Sequence, residues 1–189
     1  YFGLPEVANF WEGVVKLNNW HQHRISNLIV KKLFGTVTGK KIIILGFAFK
    51  ANTNDTRESA AITICKDLLE EGAILYIHDP KVSSKQIRLD LKIDEDISLI
   101  HEEANINNLQ EGKWCTINEI IPSIDNADAI VILTEWDEYF NIDWGMISKK
   151  MRQPAWIFDA RSVLKPEDIC TTDLNFWRIG DGSDCKITN

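Results

Sequence analysis

Lys41-Ile-Ile-Ile-Leu45-Gly46 and Ala73-Ile-Leu-Tyr-Ile-His78-Asp79-Pro80 are the stretches that decide the fold of this chain. The first is a β-branched apolar run of the kind a strand buried on both faces shows, and it stops at a glycine. The second is a strand closed by an Asp-Pro turn. Between them Ala61, Ile62, Ile64, Cys65, Leu68 and Leu69 recur at helical spacing over 58–71, and Gly72 supplies the C-terminal stop. Strand, helix and strand at this distance make a βαβ unit, hence a parallel pair with a right-handed crossover. Downstream the pattern repeats: a helix over 117–124, strands over 129–133 and 155–158, a helix over 143–151 and a weak last strand over 175–179. Residues 81–112, rich in acid and amide, read as a solvated insertion with room for a short helix. The expected class is α/β, a doubly wound, mainly parallel Rossmann-like sheet.

One long α-helix precedes the sheet. Pro5 suits a first helical turn, and Val7, Phe10, Trp11, Val14, Leu17, Ile25, Leu28, Ile29 and Leu33 recur at steps of three and four up to Gly35. A helix over 5–34 would be roughly 45 Å long, more than one small core needs, so it either bridges domains or subunits or packs on its own sheet. The expected organisation is a linker and dimerisation helix over 1–38, the α/β domain over 39–180 and a tail over 181–189.

At 189 residues with 44% hydrophobic content, the chain is long enough to close one ordinary core. Its 21 basic against 28 acidic side chains leave a net charge of -7, which offers nucleic acid no attracting field. No apolar run approaches the ~20 residues of a bilayer span, and no signal peptide opens the chain. A soluble, reducing compartment, the cytoplasm, is the expectation. The chain opens at Tyr1 rather than Met, which suggests a piece of a longer protein. Cys65, Cys115, Cys170 and Cys185 lie far apart, with no C-x-x-C pair and no zinc spacing, so they are read as buried free thiols and no metal site is expected.

Ligands of an open parallel sheet bind outside the carboxyl ends of the strands. The first such end reads Gly46-Phe-Ala-Phe-Lys50-Ala-Asn-Thr-Asn-Asp-Thr-Arg57. This is not G-x-G-x-x-G, because Ala48 and Ala51 stand where the later glycines would let a pyrophosphate touch backbone. Lys50 and Arg57 instead bracket a polar loop ahead of a helix N-terminus; Lys offers a point charge for phosphate, and Arg a planar fork. The alternative for Arg57 is a surface pair with Asp55 or Glu58. Asp79 lies farther beyond Gly46 than the roughly 20 residues of the ribose-binding acid, so it reads as a turn or capping residue. His78 has no nucleophile partner in the sequence. Arg161, in Phe158-Asp-Ala-Arg161, is the third cation at the same predicted rim, and a nucleoside diphosphate fits such a rim. Phe49 and Trp136 either flank a base or sugar or belong to the core.

Leu45-Gly-Phe-Ala-Phe-Lys50-x-x-Thr-x-Asp-Thr-Arg57-Glu-Ser59, His78-Asp-Pro-Lys81, Thr134-Glu-Trp136, Phe158-Asp-x-Arg161 and the opening Gly3-Leu-Pro-Glu-Val7 occur in one order. Together they resemble the C-terminal, UDP-binding part and central linker helix of the UDP-glucose/GDP-mannose dehydrogenase superfamily, up to about Leu164. Within it the likeness is to the animal-type UDP-glucose 6-dehydrogenases, through Val37-Thr, Lys40-Lys41 and the longer insertion. The resemblance implies an NAD-dependent double oxidation of the sugar C6 alcohol to a carboxylate, by way of a cysteine thiohemiacetal and thioester. It implies that Phe49, Lys50 and Arg161 contact UDP-glucose or UDP and that Arg57 reaches NAD. The family's glycine-motif domain and its G-G-x-C-x-x-K-D segment are absent from this sequence. No cysteine here inherits the nucleophile's role, and no catalytic residue or hydride transfer is expected of this stretch alone. A dehydrogenase of another nucleotide sugar, UDP-N-acetylhexosamine or GDP-mannose, and a non-catalytic assembly module are the rival readings. The apolar stripe of the long helix predicts a homodimer.

Overall fold

The computed structural model describes residues 3–101 and 112–181. Its elements are α1 (Pro5–Lys32), β1 (Lys41–Leu45), α2 (Ala60–Glu70), β2 (Ile74–His78), α3 (Ser84–Leu91), β3 (Lys113–Thr116), α4 (Ile120–Ser123), β4 (Ala129–Ile132), α5 (Trp144–Lys150), β5 (Trp156–Asp159), α6 (Pro166–Ile169) and β6 (Asn175–Arg178). Short 3-10 turns occupy Ile97–His101 and Asp137–Asn141.

The six strands lie in the order β3-β2-β1-β4-β5-β6, every pairing parallel. This is the doubly wound arrangement the βαβ pattern predicted. β1 and β4 are buried along almost their whole length, as strands covered by helices on both faces must be, and the strand order reverses at this parallel pair, with β2 and β3 on one side and β5 and β6 on the other. The crevice outside their carboxyl ends is therefore the topological switch point, where open α/β sheets take their ligands.

α1 does two things at once. Ile25 and Ile29 of its C-terminal half are buried against α2, joined by Thr63 Oγ1 donating to Gln22 Oε1 at 2.8 Å, and by His23 and Ser26 meeting the Asp67 carboxylate. The N-terminal half has no such cover: Val7, Phe10, Trp11, Val15, Leu17 and Trp20 are exposed. The helix stops at Lys32 because Phe34 and Gly35 adopt positive φ (68° and 81°), and Gly35 N–H returns to Val30 O at 2.9 Å.

Two expectations are corrected, and one strand the sequence did not show is added. Residues 81–112 are not a solvated insertion throughout, since Val82, Ile87 and Leu91 are buried and α3 runs from its cap Ser83, whose side chain accepts from Gln86 N–H, to Lys92 in the left-handed region. Residues 102–111 lie outside the described residues. The edge strand β3 went unread because four residues with two apolar positions carry no periodicity, yet Trp114 is fully buried and donates to Ile93 O at 3.1 Å. Of the cysteines, Cys65 and Cys115 are free and buried, whereas Cys170 is exposed after α6 and disulfide-bonded. An exposed sulfur lacks the apolar cover that the buried-thiol reading assumed. Cys185 and most of the expected tail, 182–189, lie outside the described residues.

Candidate functional site

The site is built from three loops that follow β1, β4 and β5. Leaving β1, the chain turns at Gly46 with φ of 92°, and Gly46 N–H donates to His78 O at 2.8 Å. The next three residues have every backbone polar group satisfied from within the chain. Phe47 and Ala48 N–H donate to Asp79 Oδ2 at 2.7 and 2.9 Å, and their carbonyls accept from Ser59 Oγ at 2.8 Å and Thr134 Oγ1 at 2.6 Å. Phe49 N–H donates to Asp55 O at 2.8 Å. Ser59 is also the N-cap of α2, accepting from Ala61 N–H at 3.3 Å, so one hydroxyl ties the loop to the helix that follows it. The N–H groups of these three residues are committed, so recognition by this stretch of the loop falls chiefly to side chains.

Arg161 supplies the principal side chain. Leaving β5, the fully buried Asp159 accepts from Arg161 N–H at 2.9 Å and Leu164 N–H at 2.8 Å, which shapes the turn. The Arg161 guanidinium then spans all three loops, donating from Nε to Leu133 O at 2.8 Å and from one terminal nitrogen to Phe49 O at 3.0 Å. Its other terminal nitrogen makes no hydrogen bond among the described residues. Glu135 Oε2 lies 3.6 Å from Nε.

Phe49 and Arg161 face a cleft of about 430 Å³ between α1 and the sheet edge. Asn18, Asn19 and Gln22 line its α1 side, and Ala160 joins Phe49 and Arg161 on the other. The volume and the mix of a half-exposed aromatic ring, amides and one guanidinium are those of a small-ligand pocket. Lys50, next to Phe49 on the same loop, is exposed, and its amine makes no hydrogen bond or close ion pair among the described residues, acting on Asp55 only through space. Arg57 is turned elsewhere. It forms a forked pair with Asp55 at 2.9 and 2.6 Å, and that pair holds the Asp55 carboxyl down at about 2. The rim cations thus divide: Arg161 in the cleft, Lys50 at its margin, and neither Lys50 nor Arg57 among the lining residues. Trp136 belongs to the core and donates to Asp79 Oδ2 at 3.2 Å, while Phe49 remains 48% exposed.

The amides of α1 were not singled out in the sequence; the adjacent pair Asn18-Asn19 with Gln22 one turn on, three amides on one stretch of helix, is the signal that could have found them. Asp79 was read as a local turn residue, and it is one, accepting from Lys81 and Val82 N–H at 2.9 Å each. Its grip on Phe47 and Ala48 is a tertiary contact invisible to spacing. His78 is buried with Nδ1 3.0 Å from the Tyr139 hydroxyl, and burial lowers its pKa, so it serves as a structural imidazole. Burial raises the Cys65 thiol and pushes Cys115 up to about 12, so neither is an ionised nucleophile near neutrality. Among the described residues no group of three His, Cys, Asp or Glu is placed to hold a metal, and no helix is long and apolar enough to cross a membrane.

Strand order, switch-point crevice and guanidinium-lined cleft define a doubly wound α/β domain with a ligand-sized cleft at its rim. The model of the UDP-glucose/GDP-mannose dehydrogenase family, UDP binding domain, matches residues 43–166, and the chain belongs to that family. It is 40% identical over 183 residues to a Caenorhabditis elegans UDP-glucose 6-dehydrogenase, an alignment that covers 96% of this chain and 36% of the relative. To the Gallus gallus UDP-glucose 6-dehydrogenase it is 47% identical over 162 residues, covering 85% and 31%. The chain spans about a third of the length of these curated relatives. Among solved structures, a UDP-glucose dehydrogenase from Pyrobaculum islandicum superposes with a TM-score of 0.59 at 24% identity, covering 83% of this chain and 30% of that one. An NDP-N-acetyl-D-galactosaminuronic acid dehydrogenase from Methanosarcina mazei gives 0.60 at 20%, covering 85% and 28%. At those identities the likeness speaks for the fold.

Proposed function

We propose that this chain is the nucleotide-sugar-binding part of an NAD-dependent UDP-glucose 6-dehydrogenase, with residues 39–180 as the binding domain and 1–38 as its linker helix. The observation that carries the reading is the Arg161 guanidinium bonded to Phe49 O at 3.0 Å, which draws the loop bearing Phe49 and Lys50 to the mouth of the cleft. In this reading Arg161 and Lys50 face the diphosphate and Phe49 packs against the nucleoside or sugar. The protein as a whole oxidises the C6 hydroxyl to a carboxylate in two steps, with NAD as the hydride acceptor. The β1 loop does not fit a dinucleotide, since its amides are already bonded and Ala48 and Ala51 replace two glycines; NAD is held chiefly outside this chain, with Arg57 reaching toward it. No catalytic residue is assigned here, and the chain alone is expected to transfer no hydride.

Calorimetric titration with UDP tests the reading. Binding is expected in the wild type, and Lys50→Ala should weaken it roughly tenfold, about 1.5 kcal/mol, the lower end for a bond to a charged group. A wild-type chain that binds no UDP overturns the proposal. Competition among UDP-glucose, UDP-N-acetylglucosamine and GDP-mannose separates the substrates of this superfamily.

The uncovered half of α1 supports a homodimer. Phe10 is 65% and Trp11 62% exposed, in a run of apolar side chains too extensive for a solvated helix end. The double variant Phe10→Glu, Trp11→Glu should sediment as a monomer where the wild type sediments as a dimer. A wild type that stays monomeric at high concentration rules the dimer out.

A further inference from the structure

In doubly wound dinucleotide folds the amides just past the first strand face a pyrophosphate. Here a carboxylate of the chain itself stands on them. Asp79 Oδ2 receives Phe47 N–H at 2.7 Å, Ala48 N–H at 2.9 Å and the Trp136 indole N–H at 3.2 Å. Asp79 Oδ1 receives Lys81 and Val82 N–H, each at 2.9 Å. Five donors on one side chain exceed what a turn aspartate needs, and three of them come from segments distant in sequence. On the other side of the same two peptides, Ser59 and Thr134 hold the carbonyls. Residues 47 and 48 are thus held through both their N–H and their C=O groups, and Phe49 and Lys50 follow directly in the chain.

We propose that Asp79 is a positioning residue: an internal anion that fills the pyrophosphate position of the fold, closes this domain's own dinucleotide site and sets Phe49 and Lys50 beside the Arg161 cleft. The last of these roles rests on the nucleotide-sugar reading above; the first two do not. The charge and geometry of the group both matter. Asparagine keeps the shape but offers one acceptor oxygen and turns an NH2 toward N–H donors on its other side.

The test is residue-resolved amide hydrogen exchange by NMR on the full chain, comparing wild type, Asp79→Asn and Asp79→Ala. Exchange at Phe47 and Ala48 should rise by about 10- to 100-fold in Asp79→Ala, the range set by losing a bond to a charged acceptor, with Asp79→Asn in between. Ile43 and Ile44 in β1 should change much less. Inorganic pyrophosphate should move the Phe47 and Ala48 amide resonances in Asp79→Ala and leave those of the wild type in place, and UDP affinity should fall about tenfold. Loop amides that exchange no faster, or that accelerate only in step with β1, overturn the positioning role. Resonances unmoved by pyrophosphate in the alanine variant overturn the internal-anion role. Should Asp79→Ala fail to fold, Asp79→Asn carries the exchange test by the same ratio. A wild type without UDP affinity strikes the nucleotide-sugar reading, while the exchange and pyrophosphate results still decide the inference about Asp79.

Discussion

Gly46→Ala should destabilise the domain by about 3 kcal/mol or more, a fall in Tm of roughly 6–12 °C for a chain of this size, read by thermal denaturation followed in the far ultraviolet. Two costs add. Gly46 sits at φ of 92°, where an L side chain is strained by about 1–2 kcal/mol. A Cβ there would also lie 2.4 Å from Thr134 Cβ, 2.6 Å from its Oγ1 and 2.7 Å from its backbone nitrogen. A rotamer change of Thr134 moves the hydroxyl but neither its Cβ nor its backbone nitrogen, so relief requires β1 and β4 to part at the switch point. That movement would break the Thr134 to Ala48 bond and the Leu133 N–H to Leu45 O bond at 2.9 Å, both of which hold the site loops together. UDP affinity should therefore fall with stability. A variant melting within about 2 °C of wild type would show that the turn tolerates a side chain and would remove the close-approach argument.

The same turn shows what spacing can and cannot carry. β1, β2 and β4 were legible because strands covered on both faces announce themselves as apolar runs, and the cations followed because ligands gather at strand ends. Arg57 and Asp55 are two residues apart, and that local pairing was one of the two readings the sequence left open. What remained hidden depends on distant contacts or on signals too short to repeat. Asp79 reaches Phe47 and Ala48 across the sheet, and the amides of α1 line the cleft because Ile25 and Ile29 dock the helix on α2. In β3 the whole signal is Trp114 and Cys115 within a polar run. In α3 the apolar residues Ile87, Leu89 and Leu91 alternate as they would in a strand, and only the burial of Ile87 and Leu91, with Leu89 left exposed, reveals the helical face. Cys170 differs in kind, since a disulfide depends on a second sulfur brought into bonding geometry, which spacing along the chain does not show.

Arg161→Ala should weaken UDP binding by on the order of 100-fold, the largest loss expected of any single side chain at the site. The charge-assisted contact to phosphate accounts for about 1.5–3 kcal/mol, and the freed Phe49 carbonyl for roughly another 0.5–1.5 kcal/mol through the loop it no longer anchors. At 1.4 kcal/mol per decade these combine to about two decades in Kd. Lys50→Ala should cost less because that amine is exposed and holds no loop in place. Arg161→Lys separates the two contributions: a lysine restores one positive charge, but it has no planar fork with which to hold Leu133 O and Phe49 O together and still face a phosphate. It should recover less than half of the lost free energy. The charge part should shrink as salt rises, and the anchoring part should not, so the gap between wild type and Arg161→Ala narrows at high ionic strength without closing. A Kd within threefold of wild type in Arg161→Ala would mean that this guanidinium only braces loops. The phosphate would then have to be met from elsewhere on the rim.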